Sequence, residues 1–368
     1  MRKIINHFTI LLFSLLLMSC DAIERSIELK YTHKVVSESF EAFWNELDSN
    51  YVFFAENGYD WDSYKTRYLK KINQITNDSD YIRLIDTLIY EMKDVGIKIS
   101  PENLGWHNYI PQAALDYKDY PWGKDILYGG KNEVYYWNDS IDGDTWFTVA
   151  SLYRSSDTAK QSPYMYCAPT YFNLKQYDNS NLIKEVFNKY DVSELKGVIL
   201  DLSANTEKLI VPIMLELLRH FLPEGENVIF YYQKRDIPED RYSLSTPEPF
   251  IINAYGTFAD KPLVVLFNAM TTNEANILSY VLSERESTIT VSNGHSGGGG
   301  GIRAYNIVGN ELRLKIYYPK FYLSNAHYSN FNEPLEPMLK IPVTKYFHRP
   351  DSMDSRIAKA LDCIDSMY

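Results

Sequence analysis

After residue 164 the chain alternates short, continuously apolar runs with longer amphipathic ones, and this limits the fold more than any other feature. Gly197-Val198-Ile199-Leu200-Asp201-Leu202 is apolar until it meets an acid, the pattern of a strand buried on both faces. Residues 207–221 are apolar nearly all round, as in a helix enclosed by a layered fold. Further strands are expected at 164–171, 227–233, 262–267 and 288–292, and helices at 182–187, 272–284 and 352–365. Residues 304–308 and 311–318 flank Gly309-Asn310, a two-residue hairpin signal. The alternation implies an α/β domain at 164–368 with a largely parallel sheet and helices on its faces.

The first 93 residues read differently. Phe40, Phe43, Trp44, Leu47 and Tyr51 recur at helical spacing. Asp60-Trp61-Asp62 opens a second helix with Tyr64, Tyr68 and Ile72 on one stripe. Asp78 or Ser79 is expected to cap a third, which carries Ile82, Leu84, Ile85, Leu88 and Ile89. A helical unit is therefore expected at 20–95. The segment 96–163 is irregular and aromatic, with strands expected at 133–137 and 146–152. The whole sequence of 368 residues is 45% hydrophobic and 23% charged, enough to bury a core. Its formal charge of −11 argues against a nucleic-acid partner.

Arg2 and Lys3 precede an apolar run from Phe8 to Met18, a signal-peptide pattern too short for the roughly 20 residues of a membrane span. It ends Leu17-Met18-Ser19-Cys20, which resembles the bacterial lipobox. The expectation is a signal at 1–19, lipidation of Cys20 and a membrane-anchored lipoprotein of the cell envelope. Cys167 and Cys363 give no metal-ligand spacing and are expected as buried thiols.

Three places interrupt the packing pattern. Asp201-Leu202-Ser203-Ala204-Asn205 lies at a strand end, where α/β sheets gather ligands. Asn268-Ala269-Met270-Thr271-Thr272-Asn273-Glu274 opens a helix, with Thr271 and Glu274 at capping-box spacing. Gly294-His295-Ser296 runs into Gly297–Gly301, where the choice lies between a loose loop and a close backbone approach. The run lacks the Lys-Ser/Thr ending of a P-loop, and no cofactor is expected.

Taken in order, these segments resemble the tail-specific or C-terminal-processing serine peptidases, in the form found in Bacteroidetes lipoproteins. The resemblance is carried by Phe43-Trp44, by Tyr51-Val52-Phe53-Phe54 and by Asp60-Trp61-Asp62 in the helical region. It continues through Lys196–Leu202, with Ser203 at the family's Arg and Asn205 kept, through Lys261–Asn268, the Gly-rich loop and 334–342. It implies an α/β fold of the crotonase- and Clp-protease-like type and a peptide or unfolded protein segment as partner.

The departures fall on the catalytic positions. Aligned through Asn268, the family's nucleophilic Ser corresponds to Asn273, whose amide is no nucleophile. The His of an Asp-Gly-His turn corresponds to Gly96 in Asp94-Val95-Gly96, and a Lys base near the Gly-rich loop to Gly298 or Gly299. The Asn-Gly-Gly turn that helps form the oxyanion hole reads Asn205-Thr206-Glu207. The expected site is thus a binding cleft of Asn205, Thr206, Asn273 and Ser296 without hydrolytic chemistry. An active endopeptidase using His295 and Ser296 is one alternative, with Ser279 lying two turns into the helix. A glycan-binding lipoprotein using the aromatic stretch 106–172 is the other. The 31 Tyr, 17 Phe and 6 Trp otherwise read as core.

Overall fold

The computed structural model describes residues 32–101, 107–108, 146–152, 163–171, 179–188, 190–203, 209–237, 240–309, 311–341 and 355–368. Helix α1 (His33–Asn50) starts behind Thr32, whose hydroxyl accepts the Val35 N–H at 3.3 Å. It buries Val36, Phe40, Phe43, Trp44 and Leu47, the stripe read from the sequence. A short α2 (Phe54–Asn57) leads to α3 (Trp61–Leu69), capped by Asp60. Trp61 stacks on Trp44 with ring centroids 3.6 Å apart, joining the two helices. Helix α4 (Asp78–Met92) is capped by Asn77 rather than by Asp78 or Ser79. Asn77 is the extended residue, and its side chain accepts the Asp80 N–H at 2.9 Å.

The remaining elements are β1 (Lys98–Pro101), β2 (His107–Asn108), β3 (Trp146–Leu152), β4 (Tyr164–Tyr171), α5 (Asn179–Phe187), β5 (Gly197–Asp201), α6 (Val211–Phe221) and β6 (Gly225–Gln233). They continue with β7 (Glu248–Ala254), β8 (Leu263–Leu266), α7 (Glu274–Ser283), β9 (Thr288–Ser292), β10 (Ile302–Val308), β11 (Leu314–Ser324), β12 (Leu339–Lys340) and α8 (Ser355–Ser366). One sheet runs β12-β9-β8-β5-β4-β3 and is parallel except where β3 meets β4. Its inner strands β5 and β8 are buried at every residue. Helices α6 and α7 share a core with one face of it, and α8 with the other. All ten residues of α7 are buried, so this helix has no solvent face.

The second sheet is antiparallel throughout, in the order β2-β1-β11-β6-β7 with β10 also on β11. The sequence reading expects three of its strands, at 227–233, 304–308 and 311–318, but assigns them to one largely parallel sheet and does not contain β1, β2 or β7. Strand β7 carries exposed Ile251 and has Pro249 as its second residue, which hides it from a pattern search. Val308 pairs with Leu314, so the β10–β11 connection spans 309–313 rather than the two residues expected. A Cβ at Gly309 would lie 2.4 Å from the Leu312 carbonyl oxygen, because the chain folds back on itself there. The helical region is not separate from this sheet, since Val308, Leu314, Ile316 and Tyr318 lie in one core with Phe43, Trp44 and Leu88.

The segment 109–145, including the strand expected at 133–137, lies outside the described residues, as do Cys20 and the signal at 1–19. Among the described residues no helix is long and apolar enough to cross a membrane. Cys167 and Cys363 are buried free thiols. Many tyrosines are packing residues: Tyr51, Tyr68, Tyr81, Tyr164, Tyr166 and Tyr318 are fully buried. In the described part of the aromatic stretch, the Tyr164 and Tyr166 hydroxyls donate to Asp365 and Asp201 inside the fold.

Candidate functional site

Strand β8 ends at Leu266, and the chain turns sharply before α7 begins at Glu274. The turn is held by Thr271, whose hydroxyl accepts the Asn268 N–H at 3.1 Å and donates to the Leu202 carbonyl at 2.9 Å. The capping box expected from Thr271 and Glu274 is therefore not made. Thr271 ties this turn to the end of β5, and Glu274 instead pairs with Arg303 at 2.7 Å. The N-cap of α7 is Asn273, at φ 55° and ψ −122°. For a residue with a Cβ this backbone is strained, at a cost of about 1–3 kcal/mol. A strained strand-to-helix turn is also the device that presents a catalytic nucleophile in other α/β enzymes. Here it presents a carboxamide, which is buried, and whose Oδ1 has no hydrogen-bond partner.

The glycine run is a close backbone crossing. Its segment lies between the Asn273 turn and residues 331–335: the Gly297 N–H donates to Thr271, the Asn273 N–H to Gly298, and the Gly299 N–H to Asn332. A Cβ at Gly300 would fall 1.7 Å from the Phe331 carbonyl oxygen, so no other residue fits. Gly299 has φ +80°, and a Cβ on it would meet Val95 Cγ2 at 2.5 Å and Asn273 Oδ1 at 2.9 Å. The fold thus brings Asn273, Gly299 and the Asp94-Val95-Gly96 turn together.

Behind that turn stands a polar group hidden from the sequence. The Asp94 carboxylate accepts the Gly96 N–H at 2.6 Å and the Tyr51 hydroxyl, and Tyr51 accepts from Asn57 at 2.8 Å. Burial raises the Asp94 carboxyl above its ordinary range, although Tyr51, the Gly96 N–H and the charge of Arg303 all oppose the rise. Burial and the Asp94 charge likewise push the Tyr51 phenol well up. Arg303 stands two residues past the glycine run, and its guanidinium joins this turn electrostatically to Glu274 beside Asn273. Only the position of Arg303 after the glycines could have drawn attention to it.

Other candidates are placed elsewhere. The Ser296 hydroxyl donates to Asn276 Oδ1 at 2.5 Å and accepts the Leu335 N–H at 2.7 Å. Exposed His295 turns its Nδ1 to the Ser296 carbonyl oxygen at 2.6 Å, so the two side chains form no dyad. Ser279 bonds back to the Ala275 carbonyl within α7. Asn205 and Thr206 lie outside the described residues. Just before them, Asp201 accepts the Ser203 N–H at 3.0 Å and the Tyr166 hydroxyl at 2.9 Å. The Ser203 hydroxyl receives Arg356 from α8, so a guanidinium reaches this strand end although residue 203 is not Arg.

Two family models match the chain: peptidase family S41 over residues 169–341 and the tricorn protease C1 domain over residues 33–89. Over residues 169–341 the chain is S41 peptidase-like. Its fold is similar to a candidate peptidase from Parabacteroides merdae, with a TM-score of 0.67 at 18% identity, covering 90% of this chain and 96% of that one. It is similar to mature CPAF, with a TM-score of 0.64 at 11% identity over 91% and 98% of the two chains. A lipoprotein from Streptococcus agalactiae gives 0.56 at 11% identity over 91% and 97%. No curated protein matches. At these identities the S41-like likeness is one of fold.

Proposed function

We propose that this S41-like protein is a lipid-anchored, non-hydrolytic member of its fold class, which binds a peptide or unfolded protein segment in the cell envelope. The observation that carries the reading is Asn273: the strained turn is kept, and a carboxamide stands where acyl transfer needs an activated hydroxyl. The neighbouring positions hold Gly96 and Gly299, which offer no base. The groups that do reach the turn, Glu274, Arg303 and Asp94, are engaged with one another or with Tyr51 and Gly96. Peptide binding follows from the fold class rather than from a bound ligand, and anchoring from the Ser19-Cys20 sequence.

The test has two arms. The protein lacking residues 1–20 is treated with a serine-directed phosphonate probe and with unfolded protein substrates. Neither labelling nor turnover is expected, and either one abolished by a single point mutation overturns the non-hydrolytic reading. Anchoring is read from incorporation of labelled fatty acid into the full chain, lost in Cys20→Ala. Equal labelling of that variant removes Cys20 as the anchor.

A further inference from the structure

Strand β6 is incompletely paired. Along its whole length it runs beside β7, but β11 reaches it only through Tyr322, Leu323 and Ser324, opposite Gln233, Tyr232 and Tyr231. After Ser324 the chain turns away, held by Asn325, whose side chain accepts the His327 and Tyr328 N–H groups at 2.9 and 2.7 Å. Among the described residues, no strand lies against Asn227–Phe230 on the β11 side. Beside this edge is a groove of about 730 Å³. It is also lined by Val281 of α7, by residues 284–287, and by Asp260 and His327. Val228 and Tyr231 are 51% and 39% exposed along it.

The groove is acidic. It holds Asp260, Glu284 and Glu286 against one guanidinium, Arg285, which is bound to the carbonyls of Phe258, Ala259 and Lys261. His327 pairs with Glu284, both of which line the groove. Among the described residues no group of His, Cys, Asp and Glu is arranged to hold a metal, so the acids are not a metal cage. A free strand edge supplies affinity through main-chain hydrogen bonds, and side-chain pockets or charge supply specificity.

We propose that the open edge of β6 and its acidic groove dock an extended, basic peptide segment of another protein as an added strand. Asn227–Phe230 span about 13 Å of β6, of which Asn227 and Val228 are accessible while Ile229 and Phe230 are buried, so the ligand pairs at the Asn227–Val228 end and its side chains run on along the groove. A second copy of this chain is a poor occupant, because a net charge of −11 and a like acidic groove would face each other. The ten residues of α7 put about 15 Å between this groove and Asn273. The site is thus separate from the turn on which the proposed function rests, and neither depends on the other.

The experiment uses the full chain in detergent and three fluorescent hexapeptides: alternating Lys-Val, alternating Glu-Val, and the Lys-Val peptide N-methylated at alternate residues. Saturable binding of the Lys-Val peptide is expected by anisotropy. The other two should bind at least about tenfold more weakly, a difference of about 1.4 kcal/mol. The double variant Asp260→Lys, Glu286→Lys, shown folded by circular dichroism, should lose a similar factor. No saturable binding, undiminished binding of the N-methylated peptide, or undiminished binding by the charge-reversed variant overturns the proposal. So does peptide-free dimerisation that the same variant abolishes, which would make a second copy the occupant.

Discussion

The side-chain oxygen of Asn273 points at the bare Cα of Gly299, and a Cβ there would stand 2.9 Å from that oxygen and 2.5 Å from Val95 Cγ2. The space a side chain at 299 would need is therefore filled from two sides, by the carboxamide of Asn273 and by Val95. Gly96 is confined in the same way, since a Cβ on it would meet Pro319 Cγ at 2.6 Å. The side chain at 273 and the absence of one at 299 are thus sterically linked.

Restoring a hydroxyl alone should not restore chemistry. Asn273→Ser is expected to fold, since the smaller side chain fits the space the carboxamide fills, yet to hydrolyse unfolded protein no faster than the parent. Gly299→Lys should instead lose about 2–5 kcal/mol, combining a positive φ with overpacking against Val95. Urea unfolding of both variants with a peptidase assay checks this. Turnover by Asn273→Ser alone would mean that a base has been overlooked.

How much of this could be read from the chain depends on the range of the interaction. The buried strands β5 and β8 are plain in the sequence because each is a continuous apolar run, and Asn273 is found because it stands a fixed distance past one of them. The role of Glu274 is misread because its spacing from Thr271 satisfies a local rule, while its partner Arg303 lies 29 residues away. The Tyr51–Asp94 contact spans 43 residues and joins two elements whose patterns predict only helix and turn. The antiparallel sheet is read only in part for a third reason: β6, β10 and β11 are expected as strands, but their half-exposed patterns do not say that they form a sheet of their own, and β7 shows no continuous apolar run.

The Glu274–Arg303 pair is nearly buried on both sides, with side chains 5% and 10% exposed. Arg303→Met should cost about 3–5 kcal/mol, because it leaves an uncompensated carboxylate beside Asn273. Combining it with Glu274→Gln should recover a large part of that loss. Urea midpoints of the two single variants and the double give the coupling, and additive losses would show that the pair does not act as a unit.

Ser296 and His295 separate a packing role from a catalytic one. Ser296→Ala removes the partner of the buried Leu335 N–H and of Asn276, and should cost about 1–3 kcal/mol. Exposed His295→Ala should stay within about 0.5 kcal/mol of the parent. Thermal unfolding of both variants reads the difference. A stability loss in the His295 variant matching that of the Ser296 variant would contradict the separation.

The buried carboxyl of Asp94 sets a pH dependence whose sign is fixed. Its pKa is raised in the folded state by burial, so between the ordinary aspartate range and the raised value the folded protein holds more protons than the unfolded chain. Stability from this group is therefore full below that window and falls as pH rises through it. Tyr51→Phe removes the hydroxyl that opposes the shift, which carries the window to higher pH. The variant should lie close to the parent at acid pH and fall behind it by about 1–3 kcal/mol near neutrality, the cost of a lost hydrogen bond to a buried charge. Urea unfolding of parent and variant across pH 3–8 measures the gap (a span chosen about the ordinary carboxyl and neutral ranges). A gap that is constant with pH, or that widens on acidification, would show that Tyr51 holds the turn by packing and not through the ionised Asp94.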